Sequence, residues 1–348
     1  MTTDTDRGDA RFRIDPDSKP YSHLEFKNDP DEFQFGVLAD NSGGPRPGVV
    51  AAGLRMLDLL QPEFVVNLGD LIEGYTDPED HTPATDETYR AWWEEWDGFL
   101  EGLDAPFFYV PGNHDINNPA SVRVWQERFG GTRQYSHFRY KDTLFLLLST
   151  EDPPKDTDQL LEEDPDTAKM LGDAYEAVKR AAASGADVAE LLELARPVEE
   201  YFGTINISDA QVEYFGTVLA DNADVRWTFV LMHAPAWPSS NGDPDPGNFA
   251  HIEEALSDRG YTVFAAHTHT YDYTERHGRD YITTAMTGAV NVPRLGAIDH
   301  VVWVTMTDDG PKIANLMLNG ILDKHGPVAG DHTTEVGMYR AVGAFVSR

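Results

Sequence analysis

Apolar and polar positions along the chain alternate in blocks. Short apolar runs, rich in β-branched and aromatic residues, are each followed by a polar loop. These runs cover residues 33–38, 64–68, 107–110, 227–232 and 261–265. Runs of this length are typical of buried β-strands. Residues 49–60 and 89–103 instead have apolar positions at helical spacing. Strands that alternate with helices predict an α/β fold.

Residues 151–203 interrupt this alternation. They open with acidic residues and prolines and then read as two helices, joined by a turn at Ser184 and Gly185. Helical spacing is carried by Leu171, Tyr175 and Val178 in the first helix, and by Val188, Leu191, Leu194 and Val198 in the second. The segment is interpreted as a helical insertion, and three roles stay open for it: a lid over a site, a dimer face, or a solvated helical hairpin.

The rest of the chain divides around this insertion. Residues 1–32 form a polar N-terminal extension without periodicity, residues 33–330 form the main domain, and residues 331–348 form a C-terminal tail. Further apolar runs predict strands that complete a second sheet. They lie at residues 281–284, 301–306 and 312–318.

Polar residues of the types that bind metals follow each of the first strand-like runs. They are Asp40, Asp70, Asn113 with His114 and Asp115, His233, and His267 with His269. In open α/β sheets, ligands bind at the carboxyl ends of the strands. Asp, Asn and His side chains together suit Mn, Fe, Zn or similar ions, and two such ions side by side suit phosphoryl transfer. The pattern therefore predicts a metal site at this edge.

The order of these motifs resembles the calcineurin-like metallophosphoesterases, whose pattern is D-x-H, G-D, G-N-H-[DE], a lone H and G-H-x-H at successive strand ends. Residues 69–70 and 112–115 match outright, His233 is the lone histidine, and residues 266–269 carry Ala in place of the leading Gly. The resemblance spans residues 33–305. It implies a four-layer αββα sandwich with two mixed β-sheets, plus the helical insertion.

The resemblance also implies two divalent or trivalent metal ions, which would be Mn, Fe, Zn or Mg. Asp70 would bridge the two ions, since one carboxylate can give an oxygen to each. The remaining ligands would be Asp40 and His269 for the first ion, and Asn113, His233 and His267 for the second.

By the same resemblance, His114 would act as the general acid toward the leaving-group oxygen. Asp115, the next residue, would hold the tautomer and orientation of the His114 ring. Neither residue has a metal-binding duty in the family pattern, so their presence favours an enzyme over a protein that only binds.

Ser42 departs from the family pattern, because the family has His at this position. The related purple acid phosphatases also lack this His, and they carry a Tyr three residues after the bridging Asp. Glu73 stands at that position here, three residues after Asp70, so it could supply the missing ligand. Asn41 is a second candidate. In the alternative interpretation, Glu73 is hydrogen-bonded in a turn and a water molecule completes the coordination of the first ion. Oxygen ligands would favour Mn, Fe or Mg over Zn.

Other histidines are interpreted as surface or supporting groups rather than as ligands. They are His81, His137, His251, His277 and His300, and His300 stands at the entry of a predicted strand.

Composition narrows the class of protein. A hydrophobic content of 41%, with 17 Phe, 14 Tyr and 7 Trp, excludes a disordered chain. No stretch approaches 18 consecutive apolar residues, so no membrane span is expected. The N-terminus lacks the basic and apolar segments of a signal peptide, and the chain has no Cys. A cytoplasmic protein is expected.

The charge is strongly negative, with 60 acidic against 27 basic residues and a formal net charge of −33. Binding to duplex nucleic acid is not expected, because it depends on Lys and Arg that neutralise phosphates. Only 8 of the basic residues are Lys. Such a surface resembles proteins of halophilic archaea, in which molar salt screens the repulsion, and an ordinary bacterium is the alternative.

Three classes of function remain. The favoured one is a metal-dependent phosphoesterase that hydrolyses a phosphomonoester or phosphodiester of a small phosphorylated molecule or a phosphoprotein, by attack of a metal-activated water. The second is a regulatory or binding protein of the same fold that lost turnover through the change at Ser42. A nuclease is disfavoured by the charge. Oligomeric state is not encoded in these motifs.

Overall fold

Two mixed β-sheets lie face to face at the centre of the molecule. The computed structural model describes residues 31–75, 83–184, 190–191, 193–197, 205–237, 247–291 and 295–318. Its strands are β1 (Phe33–Leu38), β2 (Phe64–Asn67), β3 (Phe107–Phe108), β4 (Ser136–Tyr140), β5 (Thr143–Leu147), β6 (Trp227–Leu231), β7 (Tyr261–Ala265), β8 (Asp272–Arg276), β9 (Arg279–Thr283), β10 (His300–Thr307) and β11 (Gly310–Met317). Its helices are α1 (Val49–Leu60), α2 (Asp86–Leu100), α3 (Pro119–Phe129), α4 (Thr157–Glu163), α5 (Pro165–Ser184), α6 (Asp209–Asp221) and α7 (Phe249–Ala255).

The first sheet has the order β11-β10-β1-β2-β3, and the second has the order β4-β5-β6-β7-β9-β8. Neighbours are parallel from β1 to β3 and from β5 through β6 and β7 to β9. The pairs β10–β1, β10–β11, β4–β5 and β8–β9 are antiparallel. Each sheet therefore presents the carboxyl ends of three or more parallel strands along one edge.

Aromatic side chains fill the space between the sheets. Phe35 on β1 packs against Phe145 on β5 and Phe229 on β6, with ring centroids 5.3 and 5.0 Å apart. Side chains alternate across a strand, so Leu144 and Val230 on the same second-sheet strands point to the opposite face.

Helices cover both outer faces. Helices α1, α2 and α3 pack on the first sheet in one buried cluster, and α6 and α7 pack on the second sheet in another. Burial of one helix face against one sheet face is the usual way to close a layered α/β core. The four-layer αββα sandwich with two mixed sheets is confirmed.

Two details of the predicted strands differ. The runs at residues 301–306 and 312–318 form β10 and β11, which belong to the first sheet, so their assignment to the second sheet is wrong. Strand β10 pairs with β1, the first strand of the domain, across almost the whole chain. Of the three runs, only the one at residues 281–284 joins the second sheet, with residues 281–283 in β9.

The predicted insertion contains α4 and α5 in its described part, and residues 193–197 are also helical. An isolated bridge between Glu151 and Asn206 closes its base. Leu171 on α5 is buried. The turn residue Gly185 and residues Val188 and Val198 lie outside the described residues, as do the tail at 331–348 and residues 1–30 of the N-terminal extension.

Candidate metal centre

The candidate metal ligands lie beyond the carboxyl ends of parallel strands in both sheets. Asp40 follows β1, Asp70 follows β2, Asn113 follows β3, His233 follows β6, and His267 and His269 follow β7. Because these strands run parallel within their sheets, their carboxyl-end loops meet at one edge of the sandwich.

The tightest group of metal-binding atoms joins the two sheets. One ligand atom each from Asp70, His233 and His267 lies within 4.8 Å of the others. His233 Nε2 is 3.3 Å from Asp70 Oδ2 and 3.1 Å from His267 Nδ1. The side-chain oxygen of Asn113 is 2.9 Å from the same Nε2. The structure thus brings together the predicted bridging carboxylate and the three predicted ligands of the second ion, and metal binding by them stays a prediction.

The hydrogen bonds of His233 show which of its two ring nitrogens faces the cluster of candidate ligands. Nδ1 lies 2.8 Å from the carbonyl oxygen of Leu68, which can only accept, so Nδ1 is the donor. Nε2 therefore faces the oxygens of Asp70 and Asn113 and Nδ1 of His267. These acceptors can converge only with a cation among them, which is a proton on Nε2 in the metal-free protein and would be a metal ion in the loaded site. One carboxylate, one amide oxygen and two imidazoles form a donor set that fits Mn, Fe or Zn.

Electrostatics in the metal-free protein agree with this reading. Burial raises the pKa of Asp70, but His233 and His114 outweigh burial and hold that pKa well below its usual range. Burial lowers the pKa of His233, yet the Asp70 carboxylate overcomes this and raises it to about 10. Burial and the nearby His233 lower the pKa of His267 to about 3. A proton on His233 therefore neutralises the cluster, and a bound metal ion would displace that proton.

Asp40 and His269 form a second group beside the first. His269 Nε2 is 3.6 Å from Asp40 Oδ1. His269 Nδ1 faces the carbonyl oxygen of Val290 at 3.1 Å, so Nδ1 donates and Nε2 keeps its lone pair on the Asp40 side. The backbone N–H of His267 donates to both carboxylate oxygens of Asp40, at 3.3 Å each. The two groups therefore adjoin through residue 267.

Backbone strain concentrates in the same residues. Asp40, Asp70, His267 and His269 have φ angles of 53°, 57°, 70° and 51°, in the left-handed region that residues other than Gly rarely adopt. Strain of this kind is held by the surrounding fold and collects at functional sites. Gly112 allows the loop after β3 to pass close to Asp70, because a Cβ at this position would stand 2.2 Å from Asp70 Oδ1.

Asp115 has a different role from the expected one. Its buried carboxylate accepts backbone N–H groups 2.8 to 3.3 Å away, from Gly112, Asp70, Leu71 and Ile72. The prediction that Asp115 orients the His114 ring is wrong, because these amides occupy both carboxylate oxygens. Asp115 instead ties the loop after β2 to the loop after β3.

Glu73 and Asn41 are also engaged away from the metal ligands. The Glu73 carboxylate accepts the backbone N–H groups of Gly43 and Gly44, at 3.0 and 3.2 Å. The Asn41 side chain is buried and donates to the carbonyl oxygen of Leu71 at 3.0 Å. In this structure Glu73 therefore bonds the loop after β1 and none of the candidate ligands, which contradicts its use as the substitute for the missing family histidine. Asn41 likewise does not join the cluster. That water completes the coordination of the first ion stays a prediction.

Ser42 keeps an unused polar atom. Its side chain is 1% exposed, and Oγ has no hydrogen-bond partner among the described residues. Its backbone N–H donates to the carbonyl oxygen of Asp70 at 3.0 Å, which holds residue 42 against the bridging residue. A buried hydroxyl of this kind is normally satisfied by water or an ion.

His114 lies beside both groups of ligands. Its backbone N–H donates to Asp70 Oδ1 at 3.0 Å. Its Nδ1 hydrogen-bonds to the carbonyl oxygen of Glu73, the contact that fixes the ring in place of the one expected from Asp115. A Cβ at Gly43 would lie 3.7 Å from His114 Nε2 and 3.5 Å from His269 Cε1, so the two rings face the same loop.

The other histidines lie away from this cluster or outside the described residues. His137 on β4 contacts the Tyr214 hydroxyl, His277 occupies the β8–β9 turn, and His251 lies exposed on α7. His300 is buried at the first position of β10. His81 falls outside the described residues. The interpretation of the described four as surface or supporting groups agrees with these positions.

Three residues around the site were not singled out by the sequence. Tyr75 accepts a hydrogen bond from Asn113 Nδ2 at 2.9 Å. Asn117 donates to the carbonyl oxygen of Asn113 at 3.0 Å. Glu151 is 2% exposed, and burial raises its pKa to about 7. The sequence signal for the first two was their position within the loops that carry the motifs, while nothing near Glu151 marks it.

The sequence model of the calcineurin-like phosphoesterase family matches residues 34–271. This chain belongs to that family. The match covers every strand that carries a candidate ligand, from β1 to β7. No curated protein matches the chain in sequence.

Solved structures of the same fold include PhoD, with 10% sequence identity and a TM-score of 0.53 over 82% of this chain and 68% of that protein. GAP50, described as the anchor in the inner membrane complex of Plasmodium, has 12% identity and a TM-score of 0.50 over 83% of this chain and 85% of its own. At these identities the likeness shows the fold alone. Among the helices that the structure describes, none combines the length and the apolarity needed to cross a bilayer.

Proposed function

We propose that this family member is a metal-dependent phosphoesterase that hydrolyses a phosphomonoester or a phosphodiester. The observation that carries the proposal is the convergence of Asp70, Asn113, His233 and His267, with His114 beside them. Chelating side chains alone would suit a structural ion. A ring that is not needed as a ligand, and that stands beside the ligands, suits chemistry.

Two groups of residues would hold the cofactor, which we expect to be two ions of Mn, Fe, Zn or Mg. Asp70, Asn113, His233 and His267 would hold one, and Asp40 and His269 would share Asp70 for the other. When bound, a pair of such ions supplies an activated water as the nucleophile and neutralises charge on the phosphoryl oxygens.

His114 would protonate the leaving group. The carbonyl oxygen of Glu73 can only accept, so His114 Nδ1 keeps its hydrogen. Nε2 is therefore the atom that gains and loses a proton. As an imidazolium, His114 would donate the Nε2 proton to the departing oxygen, a contribution of roughly 10² to 10⁴ in rate.

The test is a screen of the purified protein against chromogenic phosphomonoesters and phosphodiesters. The protein is stripped of metal and reloaded with Mn, Fe, Zn or Mg in turn. Hydrolysis that disappears on stripping and returns on reloading is expected. A folded, metal-loaded protein that is inert toward every ester would contradict the proposal.

A second candidate is a binding protein that keeps the fold and has lost turnover. Ser42 favours it, because the first ion loses the imidazole ligand that the family provides. GAP50, which shares the fold, is described as an anchor. The same screen separates the two candidates, since a binding protein would take up metal and hydrolyse nothing.

A further inference from the structure

We propose that Tyr75 is a positioning residue that holds the Asn113 side chain in the orientation needed for metal binding. The inference rests on the proposed metal site, and it concerns a residue outside the ligand set. Tyr75 lies five positions after Asp70, in the loop that follows β2.

An Asn side chain can bind a metal ion only through its oxygen, and its NH₂ group must then find an acceptor elsewhere. Asn113 Oδ1 lies 2.9 Å from His233 Nε2, on the side of the metal-binding cluster. Asn113 Nδ2 donates to the Tyr75 hydroxyl oxygen at 2.9 Å. The tyrosine therefore supplies the acceptor that the ligand orientation of the amide requires. Partners of this kind orient metal ligands and tune their affinity.

The fold holds Tyr75 firmly in this position. Its backbone N–H donates to the Tyr89 hydroxyl at 3.2 Å, and its carbonyl oxygen accepts from the Ala84 N–H at 2.8 Å. Tyr75 has a φ of 65°, the same strained region as the candidate ligands. Gly74 before it passes so close to the next loop that a Cβ would stand 2.1 Å from the carbonyl oxygen of His114.

A closed circuit of hydrogen bonds links Tyr75 to the backbone of its ligand. The Tyr89 hydroxyl, which accepts from the Tyr75 N–H, donates to Asn117 Oδ1 at 2.6 Å. Asn117 Nδ2 in turn donates to the carbonyl oxygen of Asn113 at 3.0 Å. Tyr75 and the Asn113 backbone are thus held by the same residues, so the distance between the phenol and the amide is fixed from both sides.

The Tyr75 ring also supports the acid. Its ring centroid is 4.9 Å from that of His114, in an edge-on arrangement. One side chain therefore contacts a metal ligand through its hydroxyl and the proposed proton donor through its ring. Tyr75→Phe separates these two roles, because it removes the hydroxyl and keeps the ring.

The experiment is a calorimetric titration of metal-stripped protein with Mn²⁺. Tyr75→Phe should weaken one binding step by about tenfold, since loss of such a partner typically reduces metal affinity by 10- to 100-fold. Asn113→Ala identifies which step belongs to this site, as it should weaken the same step. The thermal midpoint of the metal-free Tyr75→Phe protein should stay near that of the wild type. Tyr273→Phe is the matched control, because Tyr273 bonds Asp280 at an exposed position and should leave both steps unchanged.

A double-mutant cycle tests whether Tyr75 acts through Asn113. In the Asn113→Ala background, Tyr75→Phe should have no further effect on Mn²⁺ affinity. An equal loss in both backgrounds would overturn the inference, as would unchanged affinity in Tyr75→Phe. Either of these results leaves the proposed function standing, because the wild type still binds Mn²⁺. A wild type that binds no metal would overturn both.

Discussion

Ser42 is the residue at which the site differs most from its family. Its hydroxyl is buried and unpaired among the described residues, and both proposed substitutes, Glu73 and Asn41, are bonded to backbone groups. The first ion is left with Asp40, Asp70 and His269 from the described chain. We infer that water bound near Ser42 completes it, so this ion should be the more weakly held of the two.

Ser42→His should tighten the first ion and shift its preference toward Zn, because an imidazole nitrogen replaces an oxygen donor. Competition between Zn²⁺ and Mn²⁺, measured with a chromophoric chelator, would show the change. Ser42→Ala is the control and should leave the affinity near that of the wild type if water is the ligand. A marked loss in Ser42→Ala would show instead that the hydroxyl itself binds the metal.

His114→Gln should lower kcat by roughly 10² or more on substrates with poor leaving groups, because Gln cannot deliver a proton. Metal content should stay near the wild-type value, since His114 is proposed as the proton donor and not as a ligand. Steady-state kinetics and elemental analysis on the same preparation provide both readings. His137→Gln, on β4, is the matched control. A variant that loses its metal would mean that the ring is a ligand.

Two single-residue roles, those of Asp115 and Tyr75, could not be predicted from the sequence because they depend on the backbone. Apolar runs that end in Asp, Asn and His, together with the family resemblance, were enough to name the six candidate ligands. The Asp115 contact to four backbone amides was not, because backbone partners have no side-chain signature. The role of Tyr75 depends on a left-handed backbone at that residue, which the sequence does not mark.

At the scale of elements, the buried strands were predicted more closely than the edges. Strands β1 and β7 have the predicted bounds because each is a mainly apolar, buried run that is followed by a polar loop. Strands β4 and β8 are exposed edge strands with mostly polar residues, so no apolar run in the sequence predicted them. The sheet to which β10 belongs could not be predicted from the residues around it, since its partner β1 lies far away along the chain.

His300 ties the start of β10 to its surroundings. Its Nε2 accepts from the Ala285 N–H at 3.0 Å, and its Nδ1 faces Asn315 Oδ1 on β11 at 3.0 Å. Nδ1 is therefore the donor, and the ring is neutral. Burial lowers its pKa to about 4, although Asn315 and Asp299 act in the opposite direction.

This depressed pKa makes stability depend on pH in a defined window. Above about pH 6.5 the ring is neutral in both the folded and the unfolded chain, so its contribution is constant. Between that pH and about 4, only the unfolded chain takes up the proton, so folding loses up to about 3 kcal/mol as the pH falls. His300→Gln removes this loss.

The measurement is urea unfolding of metal-free wild type and His300→Gln at several pH values. The stability difference between them should shrink as the pH falls from 7 to 4, while the effects of all other titrating groups cancel. Parallel stability curves would contradict the assigned environment of His300.

The net charge of −33 dominates the electrostatic contribution to the stability of the whole molecule. Ion pairs such as Arg123–Asp86 and Arg139–Asp224 lie at the surface and are worth little each. Repulsion among the excess carboxylates acts over about 10 Å at 0.1 M salt and over about 3 Å at 1 M. Salt should therefore stabilise this protein on balance, although it weakens the individual pairs.

The thermal midpoint should rise steadily between low and molar KCl at neutral pH. Near the sequence pI of about 4.5 the net charge vanishes, so the same salt series should have a much smaller effect. Differential scanning calorimetry would measure both series. A flat response at neutral pH would contradict a halophilic adaptation and leave the composition to another cause.

We propose that the edge shared by the two sheets binds metal through Asp70 and its neighbours. Elemental analysis after loading with Mn or Zn, on wild type and Asp70→Asn, tests it most directly. We expect about two ions for each wild-type chain, and a loss at both positions in Asp70→Asn because the bridge is gone. A folded wild-type chain that holds no metal under any loading condition would contradict it.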